Sequence, residues 1–170
     1  MEQLIGKEID LKVDSVEIVN YYNTHLNDYF LRSSVVKAHY FVISSNIATY
    51  YNVVDKLRQS KLEDVEELRQ YCSGTERQVF FLDKWTDFKD FLVSINYKSN
   101  ISDDQLTINN IIDIISGDKR YIIKVDNVCL KTSIAPLELL QNDIVQIIIN
   151  NRKKEKFAEI KNKIINDNVN

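Results

Sequence analysis

The sequence predicts an α+β fold, rich in helix, on three observations. No Gly or Pro lies between Gly6 and Gly74, so nothing breaks a helix over that span. Within it, Val19, Tyr22, Leu26, Tyr29, Ser33, Val36, Tyr40, Ile43, Ile47, Tyr50, Val54 and Leu57 recur at alternating spacings of three and four. Eleven of these twelve are apolar or aromatic, against ten of the other twenty-seven positions between 19 and 57. After Gly117 the chain turns to short β-branched runs separated by turn residues. Together these predict a long N-terminal helix and a small mixed sheet formed mainly by C-terminal strands.

Element by element, Ile9, Leu11 and Val13 alternate with charged residues, a short strand over 7–13. Asp14 and Glu17 have capping-box spacing and start the long helix. Run from 15 to 58, it would be about 65 Å long, more than a compact domain of this size encloses. A competing reading breaks it near 35–43, where Val35, Val36, Tyr40, Phe41, Val42 and Ile43 favour strand. The unbroken heptad register and the lack of closely flanking turn residues favour the helix. Ser60 and Glu63 suggest a second capping box, with Gly74 ending that helix. Val79–Leu82 reads as a strand. Asp83 then caps a helix carrying Trp85, Phe88, Leu92 and Ile95. Ser102 and Gln105 cap another, with Ile108, Ile111, Ile112 and Ile115 inward and Gly117 at its end. Tyr121–Val125 is a strand, Asp126-Asn127 a turn and Val128–Leu130 a second strand. Pro136 opens a short helix through Leu140. After a break at Asn142-Asp143, Ile144–Ile149 reads as a buried strand, and 152–167 as a last helix with Phe157, Ile160 and Ile164 as its apolar edge.

A chain of 170 residues reads as one domain, 1–170, with a possible subdivision into a helical arm (1–74) and a mixed portion (75–170). A net charge of −3 excludes the whole chain as a polyanion binder. Cys72 and Cys129 share no metal-like spacing and read as buried free thiols. No apolar run reaches the length that spans a bilayer. Met-Glu-Gln-Leu-Ile-Gly does not read as a signal peptide. The expected location is therefore cytoplasmic, or the virion if the protein is viral. Abundant Ile, Asn, Lys and Tyr with three Gly and one Pro suit a low-G+C genome, such as a phage, another virus or a low-G+C bacterium.

No sequence motif names a reaction. Three isolated glycines build no phosphate loop. His25 and His39 would be about 21 Å apart on one helix, too far to share a metal. The carboxylate clusters Glu63, Asp64, Glu66, Glu67 and Asp83, Asp87, Asp90 read as solvated helix faces. No catalytic residue, metal or cofactor is expected, and the chain is read as not an enzyme. The heptad stripe instead predicts an interface made by Val19, Tyr22, Leu26, Tyr29, Val36, Tyr40, Ile43, Ile47, Tyr50, Val54 and Leu57. Six of the nine tyrosines, between 21 and 51, would enrich that surface. The expected function is a structural or adaptor subunit of a larger assembly, viral or phage, with protein partners in a homo- or hetero-oligomer and no membrane contact. On that reading, Asp at 43 and 47 would block assembly and leave the compact portion folded. The alternative is a nucleic-acid-associated protein using Arg152, Lys153, Lys154, Lys156, Lys161 and Lys163. It is less favoured, because aromatic interleaving there is limited to Phe157.

Overall fold

A computed structural model describes residues 10–45, 50–99 and 101–167. It is α+β, as expected. The elements are α1 (Ser15–Thr24), β1 (Val35–Ser44), α2 (Tyr50–Gln59), α3 (Val65–Cys72), β2 (Gln78–Asp87), α4 (Phe88–Ser94), β3 (Ile111–Ser116), β4 (Lys119–Cys129) and α5 (Leu137–Asp167), with 3₁₀ turns at Leu26–Asp28 and Asp103–Gln105. They fall into two compact units. Met1–Tyr29 with Pro136–Asn170 forms a terminal unit, and Phe30–Ala135 forms a sheet unit.

The long N-terminal helix is corrected. Helix α1 ends at Thr24, and the heptad passes into β1, the competing reading of 35–43. Strand β1 lies in the middle of a four-stranded sheet of order β2-β1-β4-β3. All three pairings are antiparallel, so the sheet is not mixed, and one of its central strands comes from the N-terminal half. Such a strand is covered on both faces. Val36 and Ala38 pack with Ile112, Ile114, Ile123 and Val125 under Phe88, Phe91 and Leu92 of α4. Phe41 and Ile43 pack with Ile122 against Val53, Val54 and Leu57 of α2 and Leu68 of α3. Strand propensity and burial on both faces outweigh a stripe that is local in sequence.

Other boundaries move for similar reasons. The Asp14–Glu17 capping box is present: the Glu17 N–H donates to Asp14 Oδ1 at 2.9 Å and the Asp14 N–H to Glu17 Oε2 at 3.3 Å. Residues 7–9 of the expected first strand lie outside the described residues, and 10–14 form no strand. Ser60 caps nothing, and α3 begins at Val65. Strand β2 runs through Trp85, and Asp87 rather than Asp83 caps α4, accepting from the Lys89 and Asp90 N–H groups. The expected helix from Ser102 is a 3₁₀ turn followed by β3, in which buried Ile112 and Ile114 alternate with exposed Asp113 and Ile115. Gly117, at φ +63°, makes the tight β3–β4 turn instead of ending a helix. No turn interrupts β4 at Asp126-Asn127.

In the terminal unit, the expected helix–break–strand–helix over 136–167 is one helix, α5, of 31 residues. Ile144 and Ile148, four apart, share its inner face and pack on Ile18 of α1. Arg152, one turn further on, fastens the chain leading into α1. Its Nη1 donates to the Asp10 and Lys12 carbonyls at 2.7 and 2.9 Å, and Nη2 pairs with Glu17.

The two ends of the sheet unit meet. Phe30 and Ile134 form an antiparallel bridge, the Leu31 N–H donates to the Ser133 carbonyl at 2.9 Å, and the Thr132 N–H to the Leu31 carbonyl at 2.9 Å.

Candidate functional site

Both neighbours of β1 are irregular at one step. Between Lys37 and Ala38, β4 carries an extra residue, Asp126, and between Val36 and Ala38, β2 carries Asp83–Trp85 out of register. Bulges re-aim side chains. The one on β4 delivers Asp126 to His39, whose Nδ1 lies 2.7 Å from Asp126 Oδ2. On the other side of the ring, Nε2 lies 2.8 Å from Ser60 Oγ, and Lys124 Nζ donates to the Ser60 carbonyl. The ring also stacks 6.4 Å from Phe81.

Ser60, His39 and Asp126 thus have the connectivity of a serine nucleophile, its base and the orienting carboxylate. The surroundings give them another task. Ser60 is 4% exposed and His39 0%, leaving a substrate carbonyl no approach to Oγ. The hydroxyl also lies 3.1 Å from the Leu57 carbonyl, which competes with the imidazole for its single hydrogen. Ser60 is the residue after α2, where backbone carbonyls lack helical partners and the dipole favours a cation. Lys124, 5% exposed, supplies it. The cluster fastens the end of α2 to the centre of the sheet and satisfies its own buried polar groups.

The opposite face of the sheet carries an aromatic cluster. Tyr40 stacks on Phe80 at 5.2 Å, meets Phe91 edge-on at 5.2 Å and lies 6.4 Å from Tyr121. Burial pushes the Tyr40 phenol above its ordinary range, and Tyr121 adds to the effect. Phe80 stands on β2, an outer strand of the sheet, and is 41% exposed.

Beside α4 two cavities, of about 250 and 430 Å³, share Lys89 and Leu92. Phe88, Leu92 and Leu106 give the first an apolar lining, and Lys131 and Asp103 also line it. Ser34 Oγ donates to Asp103 Oδ1 at 2.9 Å and accepts the Lys131 N–H at 2.9 Å. Tyr97 and Lys98 line the second.

The expected interface residues fall on several elements of both units. Val19 and Tyr22 are on α1, with Leu26 and Tyr29 just after it; Val36, Tyr40 and Ile43 are on β1; Tyr50, Val54 and Leu57 are on α2. Ile47 lies outside the described residues. Val36 and Ile43 even face opposite sides of the sheet. The six basic residues are all on α5. Of these, Arg152 is committed to Glu17 and two carbonyls, and Lys156 pairs with Glu159 at 3.4 Å; Lys153, Lys154, Lys161 and Lys163 are exposed. His25 stacks on Tyr21 in the terminal unit at 4.0 Å, apart from His39 in the sheet unit. Among the acidic clusters, Glu67 pairs with Lys56, and Asp87 accepts the Ser33 hydroxyl besides capping α4. No group of His, Cys, Asp and Glu among the described residues is arranged to hold a metal. No helix among them is long and apolar enough to cross a membrane.

Cys72 and Cys129 are free and partly buried. Burial raises both thiol pKa values, partly offset by Arg77 at Cys72 and by the Ser133 hydroxyl at Cys129. A raised pKa means less thiolate at a given pH. Both should therefore be alkylated by iodoacetamide more slowly at pH 7.5 than in the urea-unfolded chain; equal rates would refute this.

No protein-family model matches the chain, and no curated protein matches it. Two solved structures from Campylobacter jejuni are similar, both from work describing the virulence factor PEB4 and the periplasmic protein Cj1289 as SurA-like chaperones. One is 17% identical, with 98% of this chain and 64% of that chain covered and a TM-score of 0.31. The other is 11% identical, with 98% and 57% covered and a TM-score of 0.37. The chain thus spans less than two thirds of either.

The expected viral or phage structural or adaptor subunit, acting through a coiled-coil seam, is corrected: the continuous helix through which it would act is interrupted by β1. Of the six cations of the nucleic-acid alternative, Arg152 and Lys156 are paired within the terminal unit, and the other four are exposed.

Proposed function

We propose that this chain binds extended segments of other polypeptides along β2, as a binding module and not an enzyme. The observation that carries this reading is Phe80, 41% exposed on an outer strand and stacked on Tyr40. An outer strand offers backbone N–H and C=O groups to an incoming strand, and an aromatic ring beside them receives every second side chain. The out-of-register stretch Asp83–Trp85 limits regular pairing to Gln78–Leu82. Tyrosine and phenylalanine give such a surface large contact area at low entropic cost. The Campylobacter proteins are described as chaperones, and a role in binding proteins agrees with that description without depending on it. No covalent step is assigned, because Ser60, 4% exposed at the end of α2, leaves a substrate no approach.

The test is fluorescence anisotropy with labelled extended peptides of alternating apolar and polar residues. Phe80→Asp should weaken binding at least about tenfold, and Phe80→Leu by less than about threefold. Unchanged binding by Phe80→Asp, or no binding by the wild type, would sink the reading.

A further inference from the structure

The two cavities that meet at Lys89 and Leu92 differ in charge from the molecule around them. The whole chain carries a net charge of −3, yet Lys89, Lys98 and Lys131 all line this groove. None of the three forms an ion pair with a carboxylate among the described residues. The one carboxylate in the lining, Asp103, is already engaged by the Ser34 hydroxyl. Below the lysines lie Phe88, Leu92 and Leu106, all buried, and Val93 is exposed at the side. Three uncommitted ammonium groups over an apolar lining complement a ligand that carries anionic and apolar groups in alternation.

We propose that the groove along α4 selects polypeptide segments in which Asp or Glu alternates with apolar side chains. This goes beyond the reading of β2, none of whose residues lines the groove, and rests on it for the class of ligand. The carboxylates meet Lys89, Lys98 and Lys131, and the apolar side chains lie toward Leu92 and Leu106. The lysine contacts are solvent-exposed, so the selectivity is screened by salt.

The experiment measures binding of two labelled peptides of about a dozen residues to the full chain, by anisotropy. One alternates Glu with Leu; the other replaces every Glu by Gln. The wild type should prefer the Glu peptide at least about tenfold near 50 mM salt and lose the preference near 500 mM. Lys89→Glu, Lys98→Glu and Lys131→Glu together should abolish it, whereas Phe80→Asp should weaken both peptides alike. All three lysines are exposed, so the fold should survive, as circular dichroism will check. If the triple variant does not fold, Lys98→Gln with Lys131→Gln should still reduce the preference at least about threefold. Equal binding of the two peptides by the wild type overturns this inference and leaves the polypeptide-binding reading intact. A preference that survives the lysine changes overturns the groove as its source. If neither peptide binds the wild type, both readings fall.

Discussion

Replacing Asp126 by Ala is expected to destabilise the sheet unit by about 3 kcal/mol, the range for removing one partner from a buried polar pair. The reason lies in what is left behind. His39 is 0% exposed, and its Nδ1 has Asp126 Oδ2 as a partner at 2.7 Å. Truncation to Ala leaves that nitrogen without its carboxylate partner. Ser60 then faces an imidazole no longer held by a carboxylate, and of the two ties from the end of α2 to the sheet only the Lys124 bond keeps its support. Lys124→Met should behave differently. It also breaks a bond, to the Ser60 carbonyl, but it removes a buried charge and keeps the volume of the stem. Desolvation relief and the lost bond oppose each other, so the net change should stay within about 1 kcal/mol. Urea denaturation followed by circular dichroism will rank the two. Comparable losses for both would mean that the cluster is not organised around the His39–Asp126 bond.

Ile43→Asp should unfold the sheet unit, at a cost above about 4 kcal/mol. Ile43 is 4% exposed and packed with Phe41, Val53, Val54 and Leu57, and the cation opposite it on β4, Arg120, is already paired with Asp113. Val19→Asp, exposed on α1, should cost less than about 1 kcal/mol. On one continuous helix the two residues would line the same seam and respond alike. The thermal melt of each variant therefore decides between strand and helix at 43. A fully folded Ile43→Asp protein would restore the helical seam.

The same residue shows why part of this fold was legible and part was not. The Asp14–Glu17 box was readable because a cap involves four consecutive residues. Strand β1 was visible in its β-branched and aromatic content, yet the heptad won. A strand buried on both faces is apolar at nearly every position, as Val35, Val36, Ala38, Phe41, Val42 and Ile43 are, so a stripe of any period can be threaded through it. Strand β3 was lost to the opposite error: Ile111, Ile112 and Ile115 fit helical spacing, and only the burial of Ile114 reveals a period of two. The Ile144–Ile149 run failed because its length suits a strand or a buried helical turn equally well.

The candidate sites were less legible than the fold. His39 meets partners 21 residues away at Ser60 and 87 away at Asp126, and no spacing rule connects such positions. The local pattern reads Ser60 as a helix cap and Asp126 as part of a turn. Phe80 was recognisable as part of a strand, while its place at the sheet's edge depends on pairing order, which a local pattern does not encode.

The meeting of Phe30 with Ile134 gives residues 30–135 the character of a cassette. A stretch whose entry and exit are fastened together can be inserted into a host segment, or lost from it, with little disturbance to either. The flanking stretches, described over 10–29 and 136–167, bring helices α1 and α5 from opposite ends of the sequence into one separate unit. Either part can therefore be exchanged with little disturbance to the other.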